Sequence, residues 1–474
     1  MIETYELAVI GAGPAGLEAA ITAAEAGVKT VLIDQYPQAG GQYYMPLPTT
    51  FNPTRHTATE KEGKFIVDLM NAQPVTRIYN ALTWGIFKEE NEDNWLVALY
   101  GSDIPKYVRA SKLILASGAY DTPVAFPGWT LPGVITCGAA SILVKSQRVS
   151  PGKRALVTGT GPLLFSVAAH LMDAGVKVVG VCESTRLFPK GILYGPTMLG
   201  QMHRLIEGAK YFSAMIRGNT PYKMGWSILE ARGKDHVEEA VITRIDDLGV
   251  PISGSEEIVK VDLVVTGYSL TPNTGLARLI GCKLEYLPKK GGWVPVRDNT
   301  MQTSLPGVYL AGDGAGIGGA ENSRLEGRIA GAAVALNTGH LNHQQAGHIY
   351  GQLKPELAQQ QRFGKLLGDL FSPKAGLISL AHDDTIICRC EEITLGEVKS
   401  AVADGARTIG EVKMITRVGM GNCQGRMCEH SVAAAIKQAL SAEHVSPESV
   451  GHFSVRPPLH PIPEGFLSQA TLEE

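Results

Sequence analysis

Residues 6–27 read ELAVIGAGPAGLEAAITAAEAG and predict a strand, a tight turn and a helix. The apolar run 7–10 has the length of a buried strand. Gly11, Gly13 and Gly16 follow it in the spacing G-x-G-x-x-G. The first glycine of such a turn permits the bend, the second lets the backbone approach a pyrophosphate, and the third lets the helix pack closely on the strand. The stretch therefore predicts a dinucleotide-binding unit with its phosphates at the helix N-terminus.

The next strand, KTVLID at 29–34, ends in an acid. Asp34 lies 18 residues after Gly16, where its carboxylate can accept a hydrogen bond from a ribose 2′-OH and would repel a 2′-phosphate. Strand, turn, helix and acid together favour a dinucleotide without a 2′-phosphate.

A second glycine-rich stretch, VYLAGDGAGIGGA at 308–320, indicates FAD as the dinucleotide. It resembles the second FAD signature of flavoproteins with two dinucleotide-binding units, in which the aspartate binds the ribityl–phosphate region. GGQYY at 40–44 and LILASGAYDTP at 113–123 sit where those proteins close over the cofactor. The residues predicted to bind FAD are Gly11, Gly13, Pro14, Ala15, Gly16, Asp34, Gln35, Gly41, Gln42, Ser117, Gly118, Gly312 and Asp313.

A second strand–turn–helix–strand unit lies at 153–184, KRALVTGTGPLLFSVAAHLMDAGVKVVGVCES. Gly159 and Gly161 match the first two glycines, and Glu183 ends the next strand and disfavours NADPH. Leu164 occupies the third glycine position, where a side chain is expected to push the helix off the strand. NAD(H), a mononucleotide such as ATP, and no ligand at all are therefore three open alternatives for this unit.

Four of the seven cysteines form two tight pairs near the end of the chain, Cys388 with Cys390 and Cys423 with Cys428. Structural zinc and iron–sulfur clusters both use four thiolates. Zinc ribbons favour C-x2-C on both sides, whereas C-x-C suits adjacent ligands of a cluster, and the glycine-rich loop 417–428 can turn N–H groups toward sulfur. We predict a [2Fe–2S] cluster, with zinc, another cluster or an empty site as alternatives. The region resembles the bacterioferritin-associated-ferredoxin-like domain, although C-x4-C is longer than the usual second pair of that domain.

The other three cysteines are predicted to be small buried residues: Cys137, Cys182 and Cys282. Disulfide-reducing flavoproteins of this kind carry C-x-x-C just before the second unit, whereas the position three after Cys137 is Ala140. Disulfide reduction is therefore not expected.

The nesting of the two units resembles the glutathione-reductase-like flavoproteins, in which an NAD-type domain is inserted into a split FAD domain. The predicted fold class is α/β, with two Rossmann-like domains of glutathione-reductase type and a small C-terminal helical iron–sulfur domain. The predicted domains are an FAD-binding domain at 1–118 and 300–345, an inserted nucleotide-binding domain at 119–299, a helical connector at 346–379, an iron–sulfur domain at 380–445 and an extended tail at 446–474.

Composition sets outer limits on function. The 474 residues are 44% hydrophobic and 19% charged with a net charge of −3, which predicts several packed domains and no nucleic-acid partner. The N-terminal stretch lacks a basic segment and a cleavage site, and no apolar run reaches the roughly 18 residues of a membrane span. We therefore expect a cytoplasmic chain without a transmembrane segment.

Nearly the whole chain resembles the FAD-binding α subunits of the heteromeric dye-linked dehydrogenases, a family that includes opine oxidase, hydroxyproline and proline dehydrogenase, and hydrogen cyanide synthase. The resemblance rests on GAGPAG, PVAFPGWTLPGV, ALVTGTGPLL, LAGDGAGIGGA, GNCQGRMC and RPPLHPIP. It implies a β subunit resembling D-amino-acid dehydrogenases that oxidises a carbon–nitrogen bond, an FMN at the subunit interface and an external electron acceptor. It also implies a small third subunit in some members and contact with a membrane surface only through the complex.

No general base or nucleophile stands out, so no catalytic residue is predicted in this chain. The predicted function is electron transfer, with the substrate oxidised in the partner. One alternative is a self-sufficient NAD(P)H-dependent reductase of the ferredoxin- or nitrite-reductase-like kind, which Leu164 disfavours. A redox-sensing or iron-handling protein is the other, and the two FAD stretches disfavour it.

Overall fold

The computed structural model describes residues 2–48, 50–51, 57–90, 92–186, 201–440 and 445–468. The parts of the predicted domains at 1, 49, 52–56, 91, 187–200, 441–444 and 469–474 lie outside the described residues.

The strands are β1 Thr4–Ile10, β2 Thr30–Ile33, β3 Thr76–Ile78, β4 Leu82–Lys88, β5 Trp95–Tyr100, β6 Tyr107–Leu115, β7 Ala119–Thr122, β8 Val134–Thr136, β9 Arg154–Gly159, β10 Lys177–Glu183, β11 Tyr222–Met224, β12 Trp226–Arg232, β13 Glu239–Arg244, β14 Glu257–Lys260, β15 Leu263–Gly267, β16 Ser269–Pro272, β17 Leu284–Leu287, β18 Gly292–Pro295, β19 Val308–Leu310, β20 Ile386–Cys388 and β21 Ile393–Thr394. The α-helices are α1 Pro14–Glu25, α2 Ala58–Asn71, α3 Cys137–Ser141, α4 Leu163–Asp173, α5 Met202–Arg217, α6 Gly275–Leu279, α7 Ala320–Asn337, α8 His343–Phe371, α9 Leu395–Ala403, α10 Ile409–Thr416, α11 Glu429–Ala439, α12 Pro447–Val450 and α13 Glu464–Leu467.

The chain forms two compact units. The first consists of Met1–Ala119, Thr271–Gly364 and Val455–Glu474, and the second of Tyr120–Leu270 and Lys365–Ser454. The domain boundaries that the sequence predicts stay predictions.

A seven-stranded sheet forms the centre of the first unit, in the order β3-β2-β1-β6-β5-β4 with β19 also beside β6. β1, β2, β3, β6 and β19 are parallel, while β4 and β5 join β6 in antiparallel fashion. The end of β1 is fully buried, as expected for a parallel strand covered on both faces. β1 leads through the glycine turn into α1, which confirms the strand–turn–helix predicted at 6–27.

Helices α1 and α7 of the first unit approach each other at glycines. A Cβ at Gly327 would lie 2.1 Å from the carbonyl oxygen of Ala15, and a Cβ at Gly331 would lie 2.6 Å from that of Ala19. Both distances are shorter than any packed contact, so the two helices can be this close only because these positions have no side chain. Helix α7, which follows the second FAD-type stretch, is thereby fixed against α1, which follows the first glycine turn.

The second unit contains a five-stranded parallel sheet, β11-β10-β9-β15-β8, and the antiparallel sheet β12-β13-β14. β9, α4 and β10 are the strand–helix–strand predicted at 153–184. The C-terminal helices share one hydrophobic core with this part of the unit: Phe126 and Ile228 belong to the same buried cluster as Val398. The indole N–H of Trp129 donates to the carbonyl oxygen of Ile386 at 2.6 Å.

The spacing Thr-x-x-Glu occurs at 394–397 and again at 408–411, and it predicts two helix starts, which the structure confirms. Thr394 and Thr408 are the N-caps of α9 and α10, and each forms a complete capping box with the glutamate three residues on. The proline-rich segment 456–463 is not helical. The Leu459 N–H donates to the carbonyl oxygen of Trp84 at 2.7 Å, so the tail binds along the first unit.

No helix within the described ranges combines the length and the apolar character that a membrane crossing requires.

The α1–α7 contact can be tested with two alanines. Gly327→Ala is expected to lower the thermal unfolding midpoint, because its Cβ would collide with the Ala15 carbonyl oxygen and force the helices apart. Gly347→Ala in α8 is the matched control: an added Cβ there meets no atom within 4 Å. The control is expected to be neutral or stabilising by about 0.5–1 kcal/mol, since alanine is the better helix former. Equal midpoints for both variants would contradict the close packing.

Candidate functional site

The glycine turn of the first unit is tight and leaves a narrow cradle. Gly11 has φ +107°, and a Cβ there would lie 2.3 Å from the carbonyl oxygen of Ala116. A Cβ at Gly16 would lie 1.7 Å from the Gly11 carbonyl oxygen, so both positions require glycine for packing alone. Gly13 differs, because a Cβ there would meet only the Cα of Gly41, at 3.9 Å. Packing within the described residues therefore does not require glycine here, and the approach of a ligand to Gly13 stays a prediction.

Pro14 and Ala15 begin α1 directly after this turn, with the proline in the first turn where no N–H is lost to the helix. Gln35 and Gln42 are exposed residues of the same unit. The structure thus gathers the first group of predicted FAD residues around one helix N-terminus, which suits a pyrophosphate.

The Asp34 carboxylate fixes the first glycine turn through hydrogen bonds to the backbone. It accepts the N–H of Ala12 at 2.5 Å and that of Tyr36 at 2.7 Å, with only 8% of the residue exposed. Loss of solvent raises the pKa of Asp34, and the two N–H donors oppose that rise. The predicted contact of Asp34 with a ribose stays a prediction.

Asp313 and the segment around Ser117 lie close together. Asp313 Oδ1 accepts the N–H groups of Gly318 and Gly319, each at 2.9 Å, and burial raises the pKa of this carboxyl. A Cβ at Gly314 would lie 2.9 Å from Ser117 Oγ, so the two segments are in contact.

Gly118 has φ +67°, and an added Cβ would meet no atom within 4 Å, so the backbone faces open space at this point. Gly312, which precedes Asp313, has φ +80° and is likewise in the region that favours glycine. The two segments fit a flavin held between them, and its chemistry when bound would be the acceptance of an electron pair.

The sequence analysis did not identify Arg297 and Glu326, two residues that pack against the glycine-rich stretch 308–320. They form a buried two-pronged ion pair with N–O distances of 2.9 and 2.6 Å, and their side chains are 13% and 2% exposed. Glu326 also accepts the Gly312 N–H at 2.8 Å and the amide N–H of Asn322 at 2.9 Å. The pair therefore fixes the backbone that carries Asp313. The available signal was Glu326 directly before Gly327, where the glycine- and alanine-rich part of α7 begins.

The second glycine turn is also present. It lies in the segment Tyr120–Leu270 of the second unit, which we call the inserted part. Gly159 has φ +149°, and a Cβ there would lie 2.0 Å from the carbonyl oxygen of Gly267. Glu183 is fully buried and accepts the N–H of Gly161 and of Thr185, each at 2.8 Å. Burial raises the pKa of Glu183, and those N–H donors oppose the rise.

The four C-terminal cysteines lie together as two contacting pairs of side chains. The Cys428 thiol interacts with Cys388, and Cys390 with Cys423. Cys388 and Cys428 are buried, Cys423 is partly exposed and Cys390 is exposed. Among the described residues no three or more His, Cys, Asp or Glu side chains form a closed metal-ligand group, and the thiols instead contact one another in pairs.

The surroundings of these sulfurs suit thiolates. The hydrogen bond from Cys428 and the N–H groups of Gly419, Glu391 and Cys390 lower the pKa of Cys388 to about 6. The same hydrogen bond between the two thiols raises the pKa of Cys428. Backbone N–H groups directed at sulfur stabilise a ligand thiolate, so this donor set fits a metal cluster.

The cysteine loop owes its shape to packing against an aromatic ring. A Cβ at Gly419 or Gly425 would lie 2.6 or 2.4 Å from the ring of Phe453. A Cβ at Gly421 would lie 2.3 Å from the Cβ of Cys390. Glycines here bring the loop against both the core and the other cysteine pair. Cys137, Cys182 and Cys282 are buried elsewhere, as predicted.

Two protein families match the chain. Residues 5–339 match the Pyridine nucleotide-disulphide oxidoreductase family. Residues 386–438 match the BFD-like [2Fe-2S] binding domain. The predicted fold class is thereby confirmed, as are the FAD-type fold and the C-terminal [2Fe–2S]-type domain.

Curated relatives extend over nearly the full length. An opine oxidase subunit of Agrobacterium tumefaciens is 30% identical over 97% of this chain and 90% of its own. Hydrogen cyanide synthase subunit HcnB of Pseudomonas protegens is 32% identical over 96% of each chain. Among solved structures, L-proline dehydrogenase from P. horikoshii superposes with a TM-score of 0.70 at 20% identity, covering 98% of this chain and 80% of its own.

The buried ion pair gives the first prediction for this site. Glu326→Gln is expected to lose flavin and to unfold at lower temperature, because it leaves Arg297 buried without a counter-charge at a cost of about 3–5 kcal/mol. The double variant Arg297→Met, Glu326→Leu is expected to recover part of the unfolding midpoint, because it leaves no buried charge. It is expected to stay flavin-poor, because leucine cannot accept the Gly312 N–H. Flavin absorbance per chain and thermal unfolding measure the two effects. Exposed Glu356→Gln is the control, and full flavin in the double variant would contradict the assigned role.

The four C-terminal cysteines give the second prediction for this site. We expect about two irons and two labile sulfides per chain and a paramagnetic signal after dithionite reduction. Changing Cys388, Cys390, Cys423 or Cys428 to serine is expected to lose or destabilise this centre while the flavin content stays unchanged. Cys282→Ser is the matched control, because this thiol lies outside the group. Stoichiometric zinc without sulfide would replace the cluster with a structural metal.

Proposed function

Because the chain belongs to the pyridine nucleotide-disulphide oxidoreductase family and also carries a BFD-like [2Fe-2S] binding domain, we propose that it is the electron-transferring subunit of a heteromeric dehydrogenase. The observation that carries the proposal is the presence, in one chain, of the FAD-type turns and the four-cysteine group. Both relatives described above are named as subunits, which supports a heteromeric assembly. We assign no catalytic residue to this chain.

Substrate oxidation is assigned to a partner β subunit that resembles D-amino-acid dehydrogenases. The substrate class is an amino or imino acid such as an opine, hydroxyproline or proline. Its C–N single bond becomes a double bond as two electrons and two protons leave, and the electrons pass to an external acceptor. The names of the opine oxidase relatives and of the superposable proline dehydrogenase support this class. An FMN at the subunit interface and a small third subunit complete the proposal.

A second candidate is a subunit of a hydrogen cyanide synthase that acts on glycine. The 32% identity with HcnB, slightly above that with the opine oxidase subunit, is the observation that favours it. The two candidates share every role proposed for this chain and differ only in the substrate of the partner.

The test begins with the untagged native complex. Mass spectrometry is expected to find a β subunit and FAD, and it also reads the FMN and the third subunit. Anaerobic addition of proline, hydroxyproline or an opine is expected to bleach the flavin in the complex but not in this chain alone. Cyanide formation from glycine would select the second candidate. Purification of this chain without any partner, with rapid bleaching by NADH, would overturn the proposal.

A further inference from the structure

The second glycine turn differs from the first in the N–H group that is left for a phosphate. In the first unit Asp34 accepts the N–H of Ala12, and the Gly13 N–H forms no hydrogen bond within the described residues. In the inserted part, Glu183 instead accepts the N–H of Gly161, at 2.8 Å. Gly161 is the second glycine, whose backbone a pyrophosphate would approach. One backbone donor at the pyrophosphate position is therefore already occupied.

Glu183 is also unable to serve a ribose. None of its surface is exposed, and its two oxygens accept the N–H groups of Gly161 and Thr185. The side chains of Thr160 and Thr185 add further hydrogen bonds. A ribose hydroxyl could bind Glu183 only if it displaced this set, and a buried carboxylate that loses its donors is strongly disfavoured.

The end of α8 covers the same turn. A Cβ built on Gly161 would lie 3.6 Å from the Cβ of Phe371, the last residue of that helix. The hydroxyl of Thr185 donates to the carbonyl oxygen of Leu370 at 3.3 Å. In the first unit the residue that faces the second glycine is Gly41, which has no side chain. A phenylalanine thus stands where the FAD-type turn has open room.

The covering helix end also has the right electrostatics to replace a phosphate. The N-terminus of α4 begins at Leu163, directly after the turn, and carries roughly half a positive charge. The C-terminus of α8 carries roughly half a negative charge from its last carbonyl groups. The 29-residue helix α8 therefore presents its negative end to the turn where a bound nucleotide would present its pyrophosphate.

The Leu164 side chain fills the buried space behind the second glycine turn. It is fully buried, and a Cβ at Gly267 would lie 3.3 Å from its Cδ2. The leucine fills the space in which Gly16 of the first unit allows the helix to contact the turn. The residues of the inserted part therefore do not fit NAD(H), although the fold family would imply it.

We propose that the last turn of α8 fills the pyrophosphate position of the inserted part, so that this chain binds no nicotinamide nucleotide and takes no hydride from one. The inference rests on the contacts of the second unit alone and does not depend on the proposed partner or substrate. The proposal gives the second glycine turn a structural role: it packs against the end of α8, the helix that precedes the cysteine region in the chain.

The test is direct binding of NADH to the full-length flavoprotein by calorimetry, with ATP as a second probe. The wild type is expected to show no saturation by either nucleotide at about 1 mM. Phe371→Ala removes the covering ring, and Phe371→Ala with Leu164→Gly also frees the helix start. At least one of these is expected to bind NADH with a Kd of about 0.1 mM, tenfold below the concentration at which the wild type shows no saturation. Lys365→Ala, an exposed change in the same helix, is the matched control and is expected to match the wild type.

Three outcomes would overturn the inference: saturable NADH or ATP binding by the wild type, flavin bleaching by NADH, or no gain in either opened variant. Phe371→Leu, which keeps an apolar side chain but shortens it, replaces the alanine if that variant does not fold. NADH binding without flavin reduction would remove this inference and leave the proposed function intact, because substrate-driven bleaching in the complex is a separate measurement.

Discussion

The first unit depends on how closely α1 can approach its neighbours. A Cβ at Gly16 would lie within 1.7 Å of the Gly11 carbonyl oxygen, and a Cβ at Gly327 within 2.1 Å of that of Ala15. These two backbone contacts hold α1 between the turn after β1 and helix α7. They fix the N-terminus of α1 at the glycine turn and place α7 just beyond Asp313. A side chain at either glycine would move both halves of the flavin cradle at once.

Buried carboxylates provide the second organising theme. Asp34, Glu183 and Glu326 each lose most contact with solvent and are compensated by backbone N–H groups, and Glu326 by Arg297 as well. Such compensation is required, because an isolated buried carboxylate is too costly to keep. Which N–H each acid accepts then decides what is left for a ligand. Asp34 accepts the N–H of Ala12, the residue before the second glycine, whereas Glu183 accepts the N–H of the second glycine itself, Gly161.

The C-terminal region is not an independent appendage. Its helices share a hydrophobic core with the β12–β14 sheet of the same unit, and Phe453 shapes the loop that carries Cys423 and Cys428. The last turn of α8 belongs to the same unit and contacts the turn at Gly161. The inserted part and the cysteine region therefore pack around one hydrophobic core.

Local pattern determined the elements of this protein. The spacing of Gly11, Gly13 and Gly16 required a strand–turn–helix, and threonine three residues before glutamate required the starts of α9 and α10, because these effects act within one turn of chain. The four cysteines could be grouped for the same reason. Only the tertiary structure decided that Arg297 pairs with Glu326 and that Phe371 covers Gly161, since those partners lie 29 and 210 residues apart and meet only when distant segments pack.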